Sequence, residues 1–148
     1  MRAVVTCVTE ASVTIDGDVQ GQIGKGFLVL LGVAPEDTEA QARRLADKIA
    51  GLRVFEDEAG KMNLNLESVG GSILVVSQFT LFANCKKGNR PSFIGAAGPD
   101  TAIPLYEYFM GLLREKGFQV EHGEFGAFMQ VASVNNGPVT IIMDTDQL

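Results

Sequence analysis

Two short polar stretches set against apolar runs hold the chain's best material for chemistry. Ser77-Gln78-Phe79-Thr80-Leu81 follows Ile73 to Val76, and Asn135-Asn136-Gly137-Pro138-Val139-Thr140 precedes Ile141 to Met143. Polar groups at the ends of core strands stand on a rigid base while still reaching solvent. Gln78 offers an amide donor and a carbonyl acceptor, and Ser77 and Thr80 offer hydroxyls. A break in a strand also frees backbone N–H groups that can stabilise an oxyanion during ester cleavage. If the two corners meet in space they make a site. A plainer alternative stands beside this one: the hydroxyls satisfy local backbone groups, and Gly137-Pro138 is a turn opening the last strand.

The usual catalytic sets are missing. The only histidine, His122, falls late in an alternating segment beside Glu121 and Glu124, a setting typical of surface residues. A Ser-His-Asp or Cys-His hydrolase therefore lacks its base, and Thr80 lacks any group to activate it as a nucleophile. No HExxH, Walker loop or GxGxxG occurs. Glu56, Asp57 and Glu58 are adjacent acids in a polar loop and read as solvated surface. Cys7 and Cys85 have no CxxC spacing, so they read as free thiols, with neither zinc site nor disulfide framework indicated. No cofactor and no metal are expected.

Charge narrows the partners. The net charge of −6 argues against a nucleic acid covering the whole surface. Its distribution matters more, because Lys86, Lys87 and Arg90 follow the first polar stretch within a glycine-containing loop. Such a loop either holds a phosphate backbone beside a site or is merely solvated. No apolar run is long enough to span a bilayer, and the N-terminus alternates in strand fashion rather than as a signal peptide, which points to the cytoplasm and away from a membrane.

A chain of 148 residues reads as one domain, 1–148. Alternation predicts strands in the opening segment and over Ser12 to Ile15, with Asp16-Gly17 as a hairpin turn back through Val19 to Ile23. Phe27 to Leu31 and Ile73 to Ser77 are continuously apolar and predict central strands. A helix follows Pro35, capped by Asp37 or Thr38, with Ala42, Leu45, Ala46 and Ile49 on one face. A short strand is expected over Leu52 to Phe55, and loop from Glu56 to Gly71. A second helix starts after Gly98-Pro99-Asp100 with Asp100 as cap and Pro104 in the first turn, and presents Ala102, Leu105, Tyr106 and Phe109 together. Three further strands are expected over Phe118 to His122, Phe128 to Val134 and Val139 to Met143. The expected fold is mixed α/β: a β-rich sheet or barrel with two main helices packed on one side.

Both polar stretches resemble the two signature motifs of the D-aminoacyl-tRNA deacylases, enzymes that remove D-amino acids from tRNA. Ala11-Ser12-Val13, Gly32-Val33, Lys61-Met62-Asn63-Leu64, Arg90-Pro91-Ser92-Phe93 and Met129-Gln130-Val131 also fit that family, in order, so the resemblance covers nearly the whole chain. It implies the deacylase-type fold and hydrolysis of the ester of a D-aminoacyl-tRNA, or of glycine mischarged on tRNA-Ala. It implies substrate-assisted catalysis by the tRNA 2′-hydroxyl, with Thr80 and Gln78 at the reacting ester and Ser77, Phe79, Ala102, Phe125 and Met129 around the substrate. It implies, further, a homodimer in which a cis Gly137-Pro138 dipeptide enters the partner subunit's pocket and leaves no room for an L side chain, a specificity by exclusion. Lys86, Lys87 and Arg90 become tRNA-binding residues on the same footing. Two positions depart from the family pattern. Cys7 stands where members carry an arginine thought to help hold the Gly-Pro corner, and Phe128 where an aspartate is usual. These departures leave two alternatives, a catalytically idle RNA-binding homologue and a deacylase of relaxed chirality.

Overall fold

The computed structural model describes residues 1–148. Eight strands and two helices run in the order β1 (Arg2–Ile15), β2 (Asp18–Ile23), β3 (Gly26–Gly32), α1 (Glu39–Gly51), β4 (Phe55–Glu56), β5 (Met62–Leu64), β6 (Ser72–Ser77), α2 (Pro99–Glu115), β7 (Val120–His122) and β8 (Gln130–Asp144). The main sheet is ordered β2-β1-β3-β6-β7, with β8 on the other side of β1. The two pairs β3–β6 and β6–β7 are parallel, and the rest are antiparallel. The sheet curls until β2 nears β7: a Cβ on Gly21 would lie 2.9 Å from the His122 carbonyl. The result is a nearly closed, barrel-like sheet with two helices against it, as the alternation and helical faces had indicated.

Period-2 alternation divides the core. On β3 and β6, Phe27, Val29, Leu31, Ile73 and Val75 join the cluster under the helices, while Leu28, Leu74 and Val76 join a smaller cluster inside the curl. Strands covered on both faces are apolar throughout, which is why these two segments were unmistakable. The helices complete the larger cluster. Thr38 caps α1 in a capping box with Gln41, and Ala42, Leu45, Ala46 and Ile49 are its buried face. On α2, Ala102, Leu105, Tyr106 and Phe109 are buried, and the Tyr106 hydroxyl donates to the Val75 carbonyl at 2.8 Å. Burial pushes the Tyr106 phenol's pKa up, so it stays a donor. Tyr106→Phe is expected to cost about 1 kcal/mol in urea unfolding. The loss stays small because the Gly123 amide also donates to Val75, at 3.3 Å.

Several boundaries differ from expectation, each for a local reason. The last two expected strands are one, β8, because its ladder with β1 resumes on both sides of the Asn135–Val139 corner. A small hairpin, β4–β5, replaces the strand at Leu52 to Phe55 and most of the expected loop. Asp57 builds its turn, accepting from the Ala59 and Lys61 amides at 2.9 and 3.0 Å. Gly98, not Asp100, is the N-cap of α2, with Pro99 opening the first turn and Pro104 inside the helix. The β7 strand starts at Val120 rather than Phe118.

Candidate active site

The first polar stretch lies where β6 ends. The Gln78 amide donates to the Leu31 carbonyl at 2.8 Å, and a 3-10 turn, Phe79–Phe82, then carries the chain away from the sheet. The first N–H groups of such a turn have no partner within it, so Phe79 and Thr80 open it with free donors. Gly32 allows the close approach beneath, since a Cβ there would meet the Gln78 carbonyl at 3.0 Å and the Phe82 ring at 3.1 Å. The Gln78 side-chain amide donates to the Thr80 hydroxyl, so the two polar groups act as one unit.

Arg2 fixes this end of the molecule. Its Nε donates to Asp144 at 2.7 Å, one Nη donates to the Leu81 carbonyl at 3.0 Å, and the guanidinium stacks 4.5 Å from the Phe82 ring centre. Partial burial disfavours the Asp144 carboxylate, but the Arg2 hydrogen bond, the Asp146 amide and the charges of Arg2 and the N-terminus outweigh it, so the carboxyl titrates below its ordinary value.

A cleft of about 250 Å³ opens beside the strand end, lined by Ser77, Gln78 and Phe79 on one side and by the 125–131 segment, including Phe125, Phe128 and Met129, on the other. Five expected site residues thus share one cavity, and Thr80 joins them through Gln78. Ala102 does not line this cleft. It is 4% exposed and packs in the core, because it belongs to the inward face of α2. Gly126, Ala127 and Val131 also line the cleft and were not foreseen. Phe128, noted only as a departure, stands on the cleft wall at 89% exposure.

The second polar stretch lies elsewhere in the chain. Thr6 pairs with Thr140 and Val8 with Asn135, so residues 136–139 bulge out opposite Cys7 alone. Asn135, unforeseen as a structural tie, spans the bulge: its amide donates to the Thr140 hydroxyl at 2.9 Å and its carbonyl accepts from the Val139 amide at 3.0 Å. The Gly137–Pro138 peptide is cis, and Gly137 has φ +138°. Gly137 borders a different cavity, of about 300 Å³, with Cys7, Lys25, Phe55 and Asn136. Burial pushes the Cys7 thiol's pKa up, which makes it a packing residue rather than a nucleophile. Within one chain, therefore, the two stretches line different cavities.

Much of β8 is exposed. Val131, Val134 and Ile142 are 38%, 48% and 76% exposed, alongside Phe79 at 52%. The strand pairs only with β1, so its other edge is open along its length. Lys86, Lys87 and Arg90 lie in an exposed loop closed by the Asn84–Ser92 bridge. His122 is exposed and makes no hydrogen bond to the motif. No cluster of three or more histidine, cysteine or acidic groups is placed to hold a metal. No helix is long and apolar enough to cross a membrane.

The family model described as D-Tyr-tRNA(Tyr) deacylase matches residues 4–144. A protein of Thermus aquaticus named D-aminoacyl-tRNA deacylase is 58% identical over 147 residues, covering 99% of this chain and 97% of the relative. A protein of the same name from Anaeromyxobacter dehalogenans is 59% identical over 148 residues, covering 100% and 99%. Among solved structures, a "c-Myc DNA Unwinding Element Binding Protein" superposes with TM-score 0.90 at 44% identity, covering 97% of this chain and 98% of that one. A "probable eukaryotic D-amino acid tRNA deacylase" superposes with TM-score 0.84 at 16% identity, covering 96% and 97%, a likeness of fold.

Proposed function

The chain belongs to the D-Tyr-tRNA(Tyr) deacylase family, and from that premise we propose how its own residues perform the reaction. The protein is a D-aminoacyl-tRNA deacylase, a hydrolase that splits the ester between a D-amino acid and tRNA. The observation that carries the reading is the cleft in which Ser77, Gln78 and Phe79 face Phe125 and Met129. In it the ester carbonyl lies against the opened turn, where the free N–H groups of Phe79 and Thr80 receive the developing oxyanion. The tRNA 2′-hydroxyl assists the attack, and Gln78 and Thr80 position the reacting groups. Positioning can contribute on the order of 7 kcal/mol, which suits a site with no base. Glycine mischarged on tRNA-Ala fits the same cleft, having no side chain to exclude.

The corner at Gly137–Pro138 completes the site from a second copy of the chain. Two observations support this: the corner borders none of its own chain's cleft, and β8 beside it exposes Val131, Val134 and Ile142 along an open edge. Docked there, the corner's carbonyls meet the substrate's α-amino group and its bulk occupies the volume an L side chain requires. Lys86, Lys87 and Arg90 hold the tRNA. The reaction belongs to the cytoplasm, where tRNA is charged.

Purified protein is expected to deacylate D-Tyr-tRNA and to spare L-Tyr-tRNA. Absence of D-Tyr-tRNA turnover by folded protein would refute the reading. Thr80→Val is expected to lower kcat by roughly tenfold, the worth of one hydrogen bond. A loss nearer a million-fold would mark Thr80 as a nucleophile instead.

One specific pair of observations favours a second reading, relaxed chirality or binding without hydrolysis. Cys7 lies opposite the corner without an arginine's fork of donors to hold it, and Phe128 stands on the cleft wall. Parallel assays with glycyl-, L-alanyl- and uncharged tRNA separate these cases.

A further inference from the structure

A second, larger cavity of about 740 Å³ adjoins the same strand end. Phe82 and Ala83, which close the turn begun at Phe79, form part of its wall, with Arg2, Asn84, Lys86 and Ser92 around them. None of its lining residues is acidic, in a chain carrying 18 acidic against 12 basic residues. Asp144, which touches Arg2, is already neutralised by that ion pair at 2.7 Å.

The cations here are placed rather than scattered. Two hydrogen bonds and the Phe82 ring hold the Arg2 guanidinium, and its second amino group makes no hydrogen bond within the chain. The Lys86 amide is tied to the Asn84 side chain at 2.9 Å inside a hairpin closed by backbone bonds of 2.8 and 2.9 Å between Asn84 and Ser92. The Lys86 ammonium has no carboxylate partner, and neither does Lys87 or Arg90. Apolar surface is presented alongside: Ile94 is 90% exposed and Phe93 38%, and the Phe93 ring stands edge-on to Phe79 at 5.1 Å. Phe79 in turn lines the cleft, and Phe93 stands in the chain between Ser92 and Ile94 of the larger cavity's wall, so the aromatic pair lies between the two.

Unpaired cations without acids select an anion, and exposed ring and aliphatic faces beside them select bases. Together they are the makings of a single-stranded nucleic-acid seat. We propose that this cavity seats the unpaired 3′ strand of the substrate RNA immediately before the esterified nucleotide, with Arg2 and Lys86 on its phosphates and Phe93 and Ile94 against its bases. The proposal rests on the deacylase reading for the placement of the ester. A strand whose terminal ester lies at Gln78 and Phe79 has to continue over neighbouring surface, and this is the cationic surface one turn away. An otherwise acidic protein can then grip tRNA at one end and repel it elsewhere.

Two measurements test it. Lys86→Glu is expected to raise KM for D-Tyr-tRNA by roughly tenfold and to lower the slope of log KM against log salt by about one. D-tyrosyl-adenosine carries no preceding phosphate and should show neither change. Equal losses on both substrates, or none on either, overturn the seat. Independently of turnover, the exposed Cys85 thiol on the cavity wall reports occupancy, with the buried Cys7 as internal reference. Its alkylation by N-ethylmaleimide should slow with uncharged tRNA at a concentration that saturates filter binding, and should not slow with tRNA trimmed of its unpaired 3′ nucleotides. Protection by both, or by neither, overturns the proposal. Protection by intact tRNA alone, in a protein that leaves D-Tyr-tRNA uncut, would instead sink the deacylase reading and keep the seat.

Discussion

Gly26→Ala is expected to destabilise the fold by on the order of 3 kcal/mol or more, seen as a fall of about 10 °C in the melting temperature of a chain this size. Gly26 pairs with Val8 on one side and Ser72 on the other, at the place where the antiparallel and parallel halves of the sheet join. A Cβ there would lie 1.8 Å from the Ser72 carbonyl oxygen and 2.7 Å from its amide nitrogen. Both obstacles are backbone, so no rotamer change can relieve them, and the two strands must part. Their separation would open the ladder on which β6 delivers Ser77 and Gln78. Gly111→Ala is the control. Nothing lies within 4 Å of a Cβ at Gly111 on α2, and its backbone is helical, so it is expected to gain about 0.5–1 kcal/mol. An unchanged melting temperature for Gly26→Ala would mean that β3 and β6 do not approach as described.

That contrast bears on what could be read from the chain alone. Gly26 and Gly111 look alike in sequence, and only the approach of a distant strand tells them apart. Features set by local periodicity were legible: the buried face of α1, the double-sided burial of Phe27–Leu31 and Ile73–Val76, and the Asp16-Gly17 turn, where Asp16 has φ 50° and Gly17 φ 82°; the α1 cap was narrowed to Asp37 or Thr38, and Thr38 takes it. Features set by pairing partners were not. Asn-Asn-Gly-Pro reads as the gap between two strands, yet β1 runs unbroken alongside and restores the ladder beyond it. The β4–β5 hairpin hides in a polar segment because one carboxylate, Asp57, organises it.

The site divides the same way. The composition of Ser77 to Thr80 announced polar groups at a strand end. That Phe125 and Met129 stand across from them follows from the curl of the sheet, which no local pattern encodes. Ala102 shows the converse, a residue assigned to the pocket by likeness that its helical face commits to the core. Asn135 sat within a noted motif without a role, and its bonds to Val139 and Thr140 now give it one.

Gly137→Ala is expected to lower kcat/KM for D-Tyr-tRNA by about 100-fold, the cost of misplacing a positioning group by roughly 1 Å, while the melting temperature barely moves. The backbone reason is direct: φ is +138°, a region L side chains rarely enter, and a Cβ would sit 2.7 Å from a Val139 methyl and 3.0 Å from the Val139 nitrogen. Residues 136–138 are exposed and outside the ladder, so their displacement exposes no core. The ratio of D- to L-Tyr-tRNA hydrolysis should fall with it, because the proposed role of the corner gives the same carbonyls and bulk both binding and exclusion. Mixing then tells whose cleft the corner serves. Gln78→Ala damages the cleft and leaves the corner; Gly137→Ala damages the corner and leaves the cleft. If each site takes its cleft from one copy and its corner from the other, random exchange of subunits makes half the dimers mixed, each with one intact site, and restores about a quarter of wild-type sites. If the corner works within its own chain, every site in the mixture carries a lesion and activity stays at the level of the two variants apart. The separation of the two cavities in the single chain predicts the first outcome.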